Sequence, residues 1–223
     1  MELHQAIAQR RTVKQFDPHH RLSAEEFETL INQAMLAPTS FNLQHWRFVR
    51  IEDSTLRADM CTAAWGQVQV EQASELLVIT ADIKAWEKSP ARYWQNVDAE
   101  TRSMVVDMLT EFYRGRESLQ RDEAIRSAAF AAQNLMLSAR AMGYDSCPMI
   151  GFDADAVGQL IKLPADHLIV MLLAIGKPAA QPQARGGQLA LHEVLLSNRF
   201  PDPIHKTTKD KTTRCTRPQR TSI

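Results

Sequence analysis

Residues Ala124 to Met142 carry Ala, Leu and Met on every side of a helix. A helix that is apolar all round must be surrounded by other elements, so this stretch predicts a central buried helix. Gly143 is its stop. Two further runs add to the constraint. Leu76 to Ala81 and Leu168 to Ile175 read as strands that are apolar throughout rather than alternating. Such strands have both faces covered. Helix and strands together predict a three-layer α+β fold with a central mixed sheet flanked by helices. The long helices between strands leave room for parallel pairs.

The remaining elements fit around that frame. Residues 2–9 read as a short helix with Leu3, Ala6 and Ile7 on one side. Ser23 and Glu26 form a capping box opening a second helix, with Phe27, Leu30, Ile31, Ala34 and Met35 at helical spacing. Pro38 ends it, because the residue before a proline avoids helical geometry. Trp46 to Ile51 alternates as a strand, and a short helix follows Asp53. Lys84 to Asp98 reads as an irregular excursion. Residues 99–118 and 122–142 are helical, Ser146 to Ile150 is a strand, and Asp153 opens a short helix reaching Leu163. Two regions result: a domain over residues 1–200 and a Thr-, Lys- and Arg-rich tail over 201–223. The tail has too few apolar side chains to fold alone and is read as disordered.

Composition excludes several classes. Lys plus Arg and Asp plus Glu both number 26, with a pI near 7.1, so no global charge favours nucleic acid or membrane. The 3 cysteines are far apart and fit neither a disulfide framework nor a zinc site. The N-terminus lacks a secretory leader's basic region and apolar run. The longest apolar run is under half a membrane span. A cytoplasmic location is expected. Neither a dinucleotide-binding glycine fingerprint nor a P-loop occurs. The 7 histidines are scattered without an evident carboxylate partner. With no catalytic constellation of its own, such a chain can borrow one from a cofactor.

Three segments carry the chemistry. Arg10-Arg11-Thr12-Val13-Lys14-Gln15-Phe16 places three cations and a hydroxyl within five residues. Arginine forks match phosphate oxygens in pairs, whereas lysine acts as a point charge. A solvated basic turn would carry the same composition, although Val13 and Phe16 argue for anchoring. Ala37-Pro38-Thr39-Ser40-Phe41-Asn42-Leu43-Gln44-His45-Trp46 holds more hydrogen-bonding groups than a turn requires and suits a planar polar ligand, or else it caps a helix end. Pro148-Met149-Ile150-Gly151-Phe152-Asp153 puts a glycine after a strand, where backbone can approach a ligand closely. A plain turn capped by Asp153 is the alternative.

In this order and spacing, the three segments resemble the FMN-dependent nitroreductase family, over about residues 3–200. The resemblance implies that family's α+β intertwined homodimer, with FMN at the subunit interface. Arg10, Arg11 and Thr12 would hold the phosphate and ribityl chain, with Arg185 as a late phosphate contact. Lys14 would stabilise charge at flavin N1 and O2. Pro38, Thr39, Ser40 and Asn42 would reach the cofactor from the partner. Ile150 and Gly151 would present backbone near flavin N5, and Gln67 or Gln69 would touch the ring. Thr39, His45 and Ile150 depart from the commoner Ser, Pro and Glu. No metal is implied. The implied reaction passes a hydride from NADH or NADPH through flavin N5 to a quinone, a nitroaromatic or a similar small-molecule acceptor. It would run by a ping-pong mechanism, with water supplying protons. Phe41 and Trp94 are the preferred pocket residues, with Trp94 as a lid, while Trp86 and Phe112 fit core packing as well.

Two alternatives stand beside this reading. The same fold and flavin could serve a reductive dehalogenase, an enone reductase or a flavin-fragmenting enzyme. Glu87, Lys88 and Tyr93 would supply polar lid contacts for the first. The other is a non-enzymatic anion- or RNA-binding protein using the basic segments.

Overall fold

The computed structural model describes residues 1–200. The 201–223 stretch, expected to be disordered, lies outside the described residues. The chain divides into a large unit, Met1–Gln183, and a second unit that starts at Ala184.

The large unit is organised on four strands: β1 (Trp46–Arg50), β2 (Glu75–Asp82), β3 (Asp145–Met149) and β4 (His167–Gly176). Their order across the sheet is β1-β2-β4-β3. All three strand pairs are antiparallel. The parallel component expected from the long connections is confined to one isolated bridge, Thr12 to Ser146. The reason is topological. β2 and β3 do run in the same direction, but β4 inserts between them and pairs antiparallel with both.

β2 is buried along its whole length because its two faces enter different clusters. Leu77, Ile79 and Ala81 pack with α2 (Ala24–Ala34) and α6 (Glu117–Ala141). Leu76 and Val78 pack on the opposite face with α3 (Ser54–Ala63) and α7 (Ala154–Leu160). Helix, sheet and helix thus form the three expected layers. Along α6, Ala124, Ala128, Ala131, Ala132, Leu135 and Ala139 are all fully buried, and the small side chains let the helix lie close against α2 and the sheet. Both hydrogen bonds of the Ser23/Glu26 capping box are present, at 3.1 and 2.8 Å.

Several elements differ from the sequence expectation in extent or burial. The helix expected over 99–118 stops as α5 (Ala99–Tyr113), where Gly115 at φ +68° turns the chain before α6 begins. α7 ends at Leu160 rather than Leu163, ahead of Lys162 at φ +52°. α1 (Leu3–Gln9) buries only Ala6, leaving Leu3 and Ile7 65% and 54% exposed. A short α4 (Gln69–Gln72) precedes β2, and the second unit contains α8 (Leu191–Val194). Among the described residues no helix is long and apolar enough to cross a membrane.

Candidate functional site

The basic segment is held by alternation. Val13 and Phe16 are buried, while Thr12, Lys14 and Gln15 face outward. Backbone pairing fixes its course: Val13 N–H donates to the Ser146 carbonyl at 3.1 Å, and Ala179 N–H to Gln15 at 3.0 Å. Arg10 follows α1 directly, and the Arg11 guanidinium donates to the Gln183 carbonyl. Residues 12–15 and 180–183 enclose a cavity of about 340 Å³. The protein thus presents a hydroxyl and an ammonium along one wall of a hollow, with two guanidinium groups next in sequence.

The β3 corner is tied to the same layer. Ile150 is 84% exposed. The Gln67 side-chain amide donates to the Gly151 carbonyl at 2.7 Å and to the Ala64 carbonyl at 3.1 Å, which fixes the orientation of the Gly151 peptide. Gln69, only 4% exposed, donates to Gln67 Oε1 at 2.9 Å. The two glutamines therefore have different places: Gln67 stands at the corner and Gln69 braces it from behind. Burial raises the pKa of the Cys147 thiol, opposed by the charge of Lys14 and a hydrogen bond from Gln69. Lys14 and the glutamine pair thus flank one short stretch of β3.

The sequence reading passed over Trp65. It is exposed, adopts φ +57°, and its ring lies 3.4 Å from where a side chain at Gly151 would begin. A tryptophan directly before Gly66-Gln67 was the available signal.

The polar loop is built differently. Its 3₁₀ turn, Ser40–Asn42, and the residues after it place Phe41, Asn42 and Gln44 at φ 50°, 55° and 45°. Three non-glycine residues in the left-handed region store strain of order 1–3 kcal/mol each, less at Asn42, whose side chain tolerates that region. Contacts hold the shape. Gln44 N–H donates to Thr39 Oγ1 at 3.1 Å. Asn42 Nδ2 donates to the Tyr93 carbonyl at 2.8 Å, and Trp94 Nε1 to the Phe41 carbonyl at 3.0 Å. Phe41 also packs near Phe112 and Tyr113, with centroids 5.5 and 6.2 Å apart. Trp86 is buried and stacks on Tyr113. His45, which stands where proline is commoner, is a core residue: it has no exposed surface, and Nδ1 lies 3.0 Å from Ser127 Oγ. Burial pushes its pKa down to about 4, so the ring is neutral at neutral pH.

The large unit therefore brings Arg10 to Lys14, Gln67, Gln69, Ile150 and Gly151 to one side. Phe41 of the Pro38–Asn42 loop packs instead in a separate cluster around Leu43, Leu109 and Tyr113. Arg185 belongs to the second unit.

One acidic cluster lies beneath the 84–98 excursion. Asp82, Asp166 and His167 bring potential metal ligands within 4.8 Å of one another. The Lys88 ammonium already occupies that position, 2.9 and 3.0 Å from the two Asp82 oxygens. Its hydrogen bond holds the Asp166 carboxyl down to about 2. The cluster is a charge-compensated anchor, and the lysine fills the place an ion would take.

Comparison with known proteins agrees with this architecture. The family model "Nitroreductase family" matches residues 7–177. Protein DrgA of Synechocystis is 53% identical over 177 residues, spanning 79% of this chain and 84% of DrgA. MhqN of Bacillus subtilis, named as a candidate NAD(P)H nitroreductase, is 33% identical over 189 residues, covering 81% of this chain and 91% of its own. A protein of Exiguobacterium sibiricum crystallised in complex with FMN superimposes with a TM-score of 0.78 at 28% identity, over 87% of this chain and 96% of that one. The chain belongs to the nitroreductase family.

Proposed function

We propose that the protein is an FMN-dependent oxidoreductase that takes electrons from NADH or NADPH and reduces quinones, nitroaromatics or similar electrophiles. The observation that carries this reading is that the Arg10–Lys14 segment runs along β3, the strand that ends at the Gln67-braced Gly151 corner, with a cavity beside residues 12–15. The donor set fits such a cofactor: guanidinium groups and a hydroxyl for a phosphate, an ammonium for an electron-rich ring edge, and an oriented backbone peptide for a ring nitrogen. The FMN-bound relative supports it.

Within this reading Arg10, Arg11 and Thr12 hold the phosphate and ribityl chain. Lys14 places a positive charge where the ring gains negative charge on reduction. Gln67, braced by Gln69, keeps the Ile150–Gly151 backbone in one orientation, and such fixed dipoles help to tune the cofactor's potential. FMN, when bound, supplies the two-electron chemistry that links the nicotinamide donor to the acceptor. Pro38, Thr39, Ser40 and Asn42 complete the site from a second copy of the chain, while in their own copy the loop is tied to the 84–98 excursion through Asn42 and Phe41. Phe41 and Trp65 border the space where donor and acceptor alternate, which gives ping-pong kinetics. Residues 1–200 carry all these parts, and the basic tail is dispensable.

Visible absorbance is the direct test. Purified protein, or protein incubated with FMN, is expected to be yellow and to bleach anaerobically with NADH or NADPH. A quinone or nitroaromatic should then restore the colour, and deletion of residues 201–223 should leave both steps intact. Protein that stays colourless with added FMN overturns the proposal.

A further inference from the structure

The 84–98 excursion and the 38–44 loop are joined by a reciprocal clasp. Each segment offers one side-chain donor to a backbone carbonyl of the other: Asn42 Nδ2 to Tyr93, and Trp94 Nε1 to Phe41. The carbonyl that Trp94 captures belongs to Phe41, the first of the three left-handed residues. The Asn42 side chain that returns the bond sits on the second. A strained backbone persists only when its surroundings over-determine it, and these two bonds fall on the strained residues themselves.

The clasp is anchored at both ends. On the α5 side, Arg102 donates from Nε to the Trp94 carbonyl at 2.9 Å and from Nη2 to Gln95 and Val97 at 3.2 and 3.0 Å. At the start of the excursion, Lys88 is fixed to buried Asp82 and to Asp166. A segment pinned at Lys88 and again at Trp94–Val97 is a rigid buttress. The indole N–H points back into its own subunit's loop.

We infer that Trp94 is a positioning residue: it holds the 39–44 backbone in its left-handed conformation and so presets the surface that this loop offers to FMN. This rests on the cofactor reading above. It gives the excursion a role distinct from a lid over the acceptor, since its aromatic donor is spent on the cofactor-binding loop.

Two variants test it. Trp94→Phe keeps the ring packing and deletes the N–H. Asn42→Asp keeps the side-chain shape and the tolerance for positive φ but removes the donor to Tyr93. Both are expected to speed amide hydrogen exchange at residues 40–44 in the cofactor-free protein. Trp94→Phe is expected to weaken FMN binding, read by flavin fluorescence, by roughly five- to tenfold, the effect of one lost hydrogen bond. The acceptor KM at saturating FMN should stay within about twofold. Unchanged exchange and FMN affinity with a raised acceptor KM would make Trp94 a pocket wall and overturn the inference. A lower melting temperature with unchanged exchange at 40–44 would also overturn it, by reducing Trp94 to general packing. Should Trp94→Phe fail to fold, exchange in Asn42→Asp still decides the clasp. A wild-type protein that takes up no FMN sinks the functional reading, whereas the exchange comparison continues to judge the clasp.

Discussion

His45 shows how far a residue's role can depend on a distant neighbour. The ring is fully enclosed and lies 3.0 Å from Ser127 on α6, 82 positions along the chain. Its pKa falls to about 4 from an ordinary 6.5, first through burial. A base with a depressed folded pKa destabilises as pH drops, because below about 6.5 only the unfolded chain takes up the proton. Stability should therefore decline between pH 6.5 and about pH 4, by about 3 kcal/mol in total, and the loss should level off below that. Urea denaturation of wild type and His45→Gln at pH 7, 5.5 and 4 checks this. The variant should be less stable at pH 7, yet the gap should narrow on acidification. A gap independent of pH would assign the acid sensitivity elsewhere. In sequence His45 looked like an irregular member of a ligand-binding loop, since nothing local reveals Ser127 behind it. Arg10 to Phe16 was more readable, because alternation of charged and apolar residues in one extended stretch already separates buried Val13 from exposed Lys14.

At the scale of elements, the readable parts were those whose pattern is self-contained. β2, β4 and α6 announce themselves by apolar runs, and the Ser23/Glu26 box marks the start of α2. Only β2 is covered along its whole length, however: the first half of β4 is partly buried and α6 keeps an exposed face at Phe130. The split between α5 and α6 was read from sequence but placed a few residues late, because helical spacing continues past Gly115, the residue that redirects the chain. Antiparallel pairing was hidden, since β4 enters the sheet only after β3 has been laid down. The excursion carries a prediction of its own. Asp82 is 2% exposed and depends on Lys88, with Arg47 and His167 more distant at 3.6 and 3.9 Å. Lys88→Met should cost about 2 kcal/mol by leaving a buried carboxylate poorly paired. Asp166 should respond in the same variant. Its carboxyl is held near 2, so its stabilising contribution is present above the ordinary carboxylate range and fades as pH falls toward 2. Without Lys88 that contribution should shrink and its loss should be complete at a higher pH, read as an acid-unfolding midpoint shifted upward. An unchanged midpoint would show that His167 alone holds Asp166.

The whole molecule leaves apolar surface that one chain does not use. α1 exposes Leu3 and Ile7, α6 exposes half of Phe130, and the second unit exposes Leu191, Val194, Leu195 and Phe200. Scattered apolar residues are ordinary on a surface, whereas large ones exposed on the core helices α1 and α6 are the kind a partner surface covers. The candidate site points the same way, since Phe41 of the loop and Val13 of the basic segment lie in different clusters of the same chain. The homodimer proposed above would account for both observations at once, covering apolar surface and letting the loop of one copy complete the cavity of the other. Dimerisation and FMN retention should then be linked quantitatively, because anything that binds only the assembled form stabilises it by mass action. Sedimentation velocity with detection at flavin and protein wavelengths should show flavin only in the dimer peak. Phe130→Glu, which puts a charge on a face not otherwise needed for folding, should move mass toward monomer and release FMN in proportion, with added FMN drawing monomer back to dimer. A monomer that retains flavin under dilution would place every contact needed for the cofactor within one chain and overturn the link between dimerisation and the cofactor.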